Sequence, residues 1–465
     1  MQAGVEPRLE IGSEHDVRFT DLLANGQGVG RVGQRVVFVW GPLPGERARI
    51  RISEIKKSYA VGETLEMLEH SPERTAPFCP VFGTCGGCQV QHLSYGAQLE
   101  WKTRLVRDAL ERIGGFAGVR VAPALGMDEP RAYRNKMALV VGAAGEAIEL
   151  GFYQMRSHDF VPIAGCPVVL PQLDEAIAAL RRIANDSKVG PAFRTVKHAI
   201  TRAGASTAQS VLALTTTEAS PEIARIAGEL AGALPGITGI SNSFAPPSEN
   251  AILGRKQRVL WGASEMEERI PLADGREARY RVSAASFFQI NSAMVARVFI
   301  FLAGLTPARN VVDLYSGAGT FAIWFAMHGA RVTGIEENRA ATVEAQANAE
   351  LNAVAKQTRF FSGRVESVLR TSAGRQALRE ADLAFLDPPR KGSDPQTLDA
   401  LCAANLPAIW YLSCNPATLA RDLARLRAGG YVLEDVTPFD FFPQTGHIEA
   451  LARMRRPDAS QRERR

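Results

Sequence analysis

The chain has 465 residues, 46% of them hydrophobic, and a formal net charge of +5. That length predicts two or three domains, and the apolar fraction suffices for ordinary globular cores. The mild basic excess suits a nucleic-acid partner, and with no leader-like opening and no apolar run of roughly 18 residues the sequence predicts a cytoplasmic protein with no membrane span.

Residues 14–67 read as short strands, "DVRFTDL", "GVGRV", "RVVFVWG", "ERARIRISEIKK" and "YAVGETLEML", punctuated by "ANGQGVG" and "GPLPGE". Alternation at this spacing predicts a small β-barrel of the oligonucleotide-binding kind over residues 1–70. Arg47, Arg49, Arg51, Lys56 and Lys57 crowd one window of it, a candidate basic patch. The basic tail "RMRRPDASQRERR" reads as a solvated end.

"SPERTAPF" leads into "CPVFGTCGGC", which is C-x5-C-x2-C, and Cys166 follows downstream in "AGCPVV". Clustered cysteines in a reducing compartment point to metal before disulfides. Cys79, Cys85, Cys88 and Cys166 offer four thiolates, which fit either a [4Fe–4S] cluster or zinc. "SYGAQLEWKTRLVRDALERIGGF" then predicts an amphipathic helix with Leu99, Val106, Ala109, Leu110 and Ile113 on one face, ended by Gly114-Gly115. Over residues 71–285, strands such as "EAIELGFYQ", "QSVLALTTT" and "GITGISNSF" mix with helices such as "LDEAIAALRRIAND" and "PEIARIAGELAGAL". That is a central α+β domain, and by itself it names no function.

From residue 286 the pattern changes. Strand-like "NVVDLYS", "RVTGIEE", "LAFLDPP" and "AIWYLSC" alternate with helical "RAATVEAQANAELNAV" and "PATLARDLARLRAGG". Such alternation predicts a parallel, doubly wound, Rossmann-like sheet over residues 286–465. "VVDLYSGAGTF" runs from a strand into Gly317 and Gly319, where the backbone can approach a ligand. Phe321 and Ala322 replace the third glycine of the dinucleotide fingerprint, which counts against NAD. Asp313, the G-x-G loop and Glu336 at the next strand end suit S-adenosylmethionine, whose sulfonium needs no phosphate cradle.

Two further strand ends aim at the same crevice. "LAFLDPPRKG" delivers Asp387 on a proline-stiffened loop, with Arg390 where amine-directed methyltransferases commonly carry an aromatic. "WYLSCNPATL" delivers Cys414 beside the Asn415-Pro416 turn. An acid and a thiol facing a methyl donor suit one chemistry in particular. C5 of uracil is too weak a nucleophile to take a methyl group unaided, whereas a thiolate adding at C6 makes C5 nucleophilic. A base must then remove the C5 proton before the cysteine can leave. "GHIEALARM" offers Glu449 for that step, in preference to its rival His447. Cys402, in "LDALCAANL", reads as a packed core thiol.

Taken together, C-x5-C-G-G-C with Cys166, "FFQIN", "DLYSGAGTF", "DPPRKG", "SCNP" and "HIEA" resemble the RNA (uracil-5-)-methyltransferase family over nearly the whole chain. The likeness is greatest to bacterial 23S rRNA members with an N-terminal TRAM domain and a [4Fe–4S] cluster. The resemblance implies that Cys79, Cys85, Cys88 and Cys166 hold the cluster, favouring iron–sulfur over zinc. It implies that Gln289, Tyr315, Thr320 and Glu336 contact S-adenosylmethionine, that Asp387 lies between donor and uracil, that Cys414 is the nucleophile and Glu449 the base. "YRNKM", Tyr133–Met137, matches a basic segment expected at the RNA, and the barrel becomes a TRAM domain that grasps RNA through the Arg47–Lys57 patch. The expected protein is a monomer acting on a uridine of 23S rRNA. The alternatives are the T-loop uridine of tRNA or, in a different class, a non-catalytic RNA-binding or redox-sensing protein.

Overall fold

A computed structural model describes residues 9–217, 221–234, 236–245, 251–254, 256–305 and 308–457; residues 458–465 of the basic tail lie outside them. Strands β1 (Glu14–Leu22), β2 (Gln27–Val32), β3 (Arg35–Trp40), β4 (Arg47–Ile55) and β5 (Tyr59–Glu69) close a barrel in the order β1-β2-β3-β5-β4. Inward positions alternate with outward ones, and Val17, Phe19, Val37, Val39, Ile50 and Ile52 are buried inside it. On that face β2 has room for the Val32 side chain but not for one at Gly28 or Gly30. A Cβ at Gly30 would lie 2.3 Å from the Val17 side chain, and one at Gly28 2.5 Å from the Pro42 carbonyl oxygen.

The outward face of the barrel corrects the expected basic patch. Arg47 pairs with Glu69 at 3.0 Å, Arg49 with Asp16 at 3.1 Å and Glu66 at 3.0 Å, and Arg51 with Glu14 at 2.9 Å. Lys56 pairs with Glu54. Arg49 and Arg51 of β4 lie opposite acids on both β1 and β5 and Arg47 opposite Glu69 on β5, so the sheet register sets the run of positive charge in a cross-strand ladder of ion pairs. Such exposed pairs contribute about 0–1 kcal/mol each.

The central region forms a second sheet from β6 (Lys136–Ala144), β7 (Ala147–Tyr153), β8 (Phe160–Pro162), β9 (Val196–Ala203), β10 (Ser210–Thr216), β11 (Ile237–Phe244) and β12 (Lys256–Gly262), ordered β12-β11-β10-β9-β6-β7-β8. The helices Pro171–Ala184 and Pro221–Ala233 set Leu173, Ile177, Leu180, Ile223 and Leu230 in one core with Leu139, Leu150, Leu212 and Leu214 of the sheet. The hairpin β13 (Glu265–Pro271) and β14 (Glu277–Ser283) packs elsewhere. Its Met266, Ile270, Tyr280 and Val282 share a core with Phe299, Phe321 and Phe385 of the third sheet region.

That third sheet contains β15 (Asn310–Leu314), β16 (Arg331–Glu336), β17 (Thr358–Ser362), β18 (Leu383–Leu386), β19 (Ala408–Ser413), β20 (Val432–Phe439) and β21 (Glu449–Arg455), in the order β17-β16-β15-β18-β19-β21-β20. β17 to β19 run parallel, and β21 is antiparallel to both β19 and β20. The central strands are covered on both faces, and every residue of β18 is buried. Chain order reverses between β15 and β18, so the ligand crevice of such a sheet opens at their carboxyl ends.

The helix Tyr95–Arg112 bridges the barrel and the third sheet: Trp101 Nε1 donates to Leu22 O at 2.9 Å, and Val106 and Leu110 share a core with Tyr411 and Val436. Ser94 caps it by accepting from Ala97 N–H, and Val106 and Leu110 are buried as its period predicts. Ile113 departs from the expected face and is 53% exposed. Gln98, Trp101 and Lys102 are buried instead, for reasons that lie far away in sequence. No helix among the described residues is long and apolar enough to cross a membrane.

Candidate active site

The crevice is built where β15, β16, β18 and β19 end. After β15, Tyr315 takes φ +68°, a conformation non-glycine residues avoid, and Gly317 and Gly319 follow at +54° and +86°. This tight turn is tied to the neighbouring strand, because Tyr315 and Ser316 N–H donate to Ile335 O at 2.9 and 3.1 Å. Glu336, at the end of β16, accepts from Gly317 N–H at 3.0 Å and Asn338 N–H at 2.7 Å. A carboxylate offers about four acceptor sites, so two remain for a diol. Thr320, buried, opens the following helix, and its carbonyl accepts from Tyr280 OH at 2.9 Å. Asp313 is buried below the turn; loss of hydration, with the Asp387 and Glu336 carboxylates adding to it, raises it well above the usual carboxylate range.

Gln289 and Asp387 meet across the crevice, Nε2 donating to Oδ2 at 3.3 Å. Asn135 holds the Gln289 segment from behind: its Nδ2 donates to Gln289 O at 3.0 Å, and its N–H to Ile290 O at 2.8 Å. The segment "YRNKM" is therefore partly architectural. Tyr133 and Asn135 are buried, and only Arg134 and Lys136 of its polar residues reach partial exposure. Beside Gln289, Phe287 stands 73% exposed at the rim near Gly317.

On the other wall, Ser413 pairs with Ala450 across β19 and β21, which sets Cys414 and Glu449 side by side. Cys414 is half-buried and a free thiol. Burial, then the carboxyls of Glu449 and Asp387, push it up to about 12, while the Arg390 guanidinium pulls the other way. Glu449 is buried with no hydrogen bond to its Oε2. Burial and the neighbouring Asp387 hold it well above the usual range, again opposed by Arg390. Burial raises Asp387 to about 7. His447 is exposed and engaged, with Arg390 Nη2 at 3.4 Å from its Nε2. Lost hydration, then Arg390, Lys102 and Arg134, push it down to about 4.

The structure thus brings Gln289, Asp387, Cys414 and Glu449 to one crevice, with Tyr315 and Glu336 on its β15–β16 side. Sequence reading missed the roles of Arg390 and of the network behind it. Tyr315 OH and Ser393 Oγ lie 2.8 Å apart, Ser393 N–H donates to Asp422 at 2.8 Å, and Tyr411 OH donates to the same carboxylate at 2.6 Å. These bonds fasten the Asp387–Ser393 loop to the helix Pro416–Ala428 that follows Cys414. The only sequence signal was an acid, Asp422, spaced with Leu419 and Leu426 on the apolar face of a helix.

The cysteine loop lies elsewhere. Cys79, Cys85, Cys88 and Cys166 line one cavity of about 400 Å³, with Arg134, Tyr153 and Arg156 at its walls. Burial pushes the Cys88 thiol up to about 12, and the other three thiols of the set add to that. Cys85 Sγ accepts from Gly87 N–H at 3.4 Å. Among the described residues no three His, Cys, Asp or Glu side chains converge to hold a single metal ion. Cys402 is partly buried in the core beside the helix Pro416–Ala428.

The tRNA (Uracil-5-)-methyltransferase family matches residues 250–456, and the TRAM domain family matches residues 8–65. A chain from Halalkalibacterium halodurans described as an uncharacterized RNA methyltransferase is 36% identical over 446 residues, spanning 94% of this chain and 96% of that one. One from Gloeobacter violaceus, described in the same words, is 37% identical over 467 residues, spanning 97% and 99%. Among solved structures, the Pyrococcus abyssi tRNA (uracil-54, C5)-methyltransferase in complex with S-adenosyl-L-homocysteine superposes with a TM-score of 0.74 at 25% identity, over 95% of this chain and all of that one.

Proposed function

The chain belongs to the RNA (uracil-5-)-methyltransferase family, and from that premise we propose that it methylates C5 of a uridine in 23S rRNA through a covalent bond between Cys414 and C6 of the base. The observation that carries this reading is the convergence of a thiol, Cys414, with two carboxyls, Asp387 and Glu449, from three different strand ends. Gln289, Tyr315, Glu336 and, at the buried start of its helix, Thr320 form the pocket for the methyl donor. Glu336 retains acceptor capacity for the ribose hydroxyls, and the left-handed turn from Tyr315 to Gly319 lets backbone approach the ligand. S-adenosylmethionine supplies an electrophilic methyl group and a positive charge.

Each residue then has one task. Arg390 lowers the electrostatic cost of ionising Cys414. The Cys414 thiol gives up its proton to solvent, the thiolate adds to C6, and the electron pair of the C5–C6 bond moves toward C5 and O4. Gln289 and Asp387, already bonded to each other, orient the ring. Once C5 carries the methyl group, the Glu449 carboxylate takes the C5 proton, the C5–C6 double bond returns and the thiolate leaves. The uridine must leave its stack to enter the crevice, which costs about a few kcal/mol.

Residues 1–70 serve as the RNA-grasping TRAM unit, 71–285 as the cluster-bearing unit and 286–465 as the catalytic unit. Cys79, Cys85, Cys88 and Cys166 line one cavity and offer the four-thiolate donor set that a [4Fe–4S] cluster takes. The rRNA target rests on the resemblance to cluster-bearing rRNA enzymes. The solved structure of a tRNA (uracil-54) enzyme, alike over 95% of this chain, favours a second reading, the T-loop uridine of tRNA. Incubating purified protein with in vitro 23S rRNA and tRNA transcripts, then mapping 5-methyluridine, decides between them. Methylation of the rRNA transcript is expected; activity confined to tRNA contradicts the rRNA assignment.

A further inference from the structure

Glu449 has to meet the C5 proton, yet no hydrogen bond holds its Oε2. Its position therefore depends on the chain around it. Glu449 opens β21 opposite Phe439, the last residue of β20, so residues 440–448 form the loop of that hairpin. A free hairpin tip would be solvated. Here Asp440, Phe441, Gln444, Thr445 and Ile448 are buried, and Gln444 sits at φ +70°, a strained conformation that persists only when its surroundings impose it.

Those surroundings come from the other end of the chain. Gln444 N–H donates to Gln98 Oε1 and Gln98 Nε2 donates back to Gln444 Oε1, each at 3.0 Å. Gln444 O accepts from Gln89 and Val90 N–H at 3.0 and 3.1 Å, directly after Cys88. Lys102 Nζ, fully buried, donates to Asp440 Oδ1 at 2.6 Å and Phe442 O at 3.0 Å. Tyr133 OH donates to Pro443 O at 3.0 Å. At the loop's far side Gly446 lies against the barrel, where a Cβ would come within 1.6 Å of Ala24 O. An apolar interface would close the same gap without burying an ammonium group, so these contacts are better suited to fixing one arrangement than to adding stability.

We propose that Gln98 and Lys102 are positioning residues for Glu449: the helix Tyr95–Arg112, together with the cysteine loop, clamps residues 440–448 in the conformation that presents the carboxylate to the C5 proton. The inference rests on the function proposed above and adds residues from the opposite end of the chain to its last step.

The two halves of the reaction can be read separately. RNA carrying 5-fluorouridine takes the thiolate and the methyl group but has no C5 proton, so adduct formation reports the steps before Glu449 acts. Turnover on ordinary RNA reports the step that needs it. Gln98→Met keeps the side-chain volume and removes both side-chain bonds to Gln444. The adduct rate and the KM for RNA should stay within about two-fold of wild type, while kcat on ordinary RNA falls about ten-fold and covalent RNA accumulates during turnover. If Gln98→Met does not fold, the double variant Lys102→Met/Asp440→Leu, which replaces the buried pair with apolar side chains, carries the same expectation. Parallel loss of adduct formation and turnover assigns these residues a structural role and overturns the proposal, as does unchanged turnover. A wild-type protein that forms no adduct contradicts the proposed function itself, and the inference falls with it.

Discussion

At the scale of single residues, burial disfavours the two charged forms the reaction needs, the Cys414 thiolate and the Glu449 carboxylate. Cys414 is pushed up to about 12 and Glu449 well above its ordinary range, both chiefly by burial. Arg390 is the cation that opposes both shifts, so its removal should disfavour the thiolate further. Arg390→Gln is expected to slow adduct formation with 5-fluorouridine RNA roughly three- to ten-fold at neutral pH, the smaller figure reflecting the greater intrinsic nucleophilicity of a more basic thiol. The deficit should persist as both proteins speed up with rising pH; a variant matching wild type in stopped-flow assays would remove Arg390 from the mechanism. Glu449 carries a second consequence. A carboxyl with a raised folded-state pKa keeps a proton that the unfolded chain releases, so stability declines as pH rises above the unfolded value of about 4.3. Glu449→Gln abolishes that charge and should be more stable than wild type at pH 8 by on the order of 1–2 kcal/mol in urea titrations, with the gap closing toward acid pH. The same variant should methylate once and release RNA slowly. Cys414, Asp387 and Glu449 were legible because each lies in a short motif at a strand end. Arg390 was not, since its effect crosses space from the loop after β18 to a thiol after β19.

At the scale of elements, the doubly wound sheet was readable because its parallel strands are nearly continuous apolar runs, as in β18 and β19. Antiparallel strands of the central sheet were harder. β9 carries Lys197, His198 and Arg202 among its apolar residues, and the edge strand β12 is exposed along most of its length, so neither shows a clean period. The helix Tyr95–Arg112 was found, but part of its buried face was not, because Gln98 and Lys102 meet partners more than three hundred residues away. Local pattern cannot encode such a pairing. Asp422 makes a similar point within one domain. It joins Tyr411, Ser393 and the helix after Cys414, so it sets the Asp387 loop against the segment that carries Cys414. Asp422→Asn should lower stability by about 1–3 kcal/mol, the range for weakened buried polar contacts, and reduce kcat more than KM. Calorimetry with steady-state kinetics checks this; loss of stability with kcat intact would confine Asp422 to the fold.

At the scale of the whole molecule, charge read along the sequence misjudged the barrel. Arg47, Arg49 and Arg51 look like an anion-binding run, yet sheet pairing places acids beside each of them. Arg49→Gln should therefore change RNA affinity by less than about two-fold and leave the salt dependence of binding unchanged, whereas an arginine bonded to phosphate would lower its slope by about 1. The cysteine loop is likewise not the distant annex its sequence position suggests, since Gln89 and Val90, after Cys88, bond to Gln444 in the loop that leads into Glu449. Fold class, the barrel, the central α+β region and the crevice were all available from pattern. The contacts that join them were not, because they are made by buried polar groups whose partners no periodicity marks. Mass spectrometry can show whether Cys414 bonds to the pyrimidine. The protein is incubated with 5-fluorouridine RNA and S-adenosylmethionine, denatured and digested. A methylated nucleotide attached to the peptide containing Cys414 is expected, with no such species from Cys414→Ala; an adduct on another residue, or an equal yield from the variant, rules out Cys414 as the nucleophile.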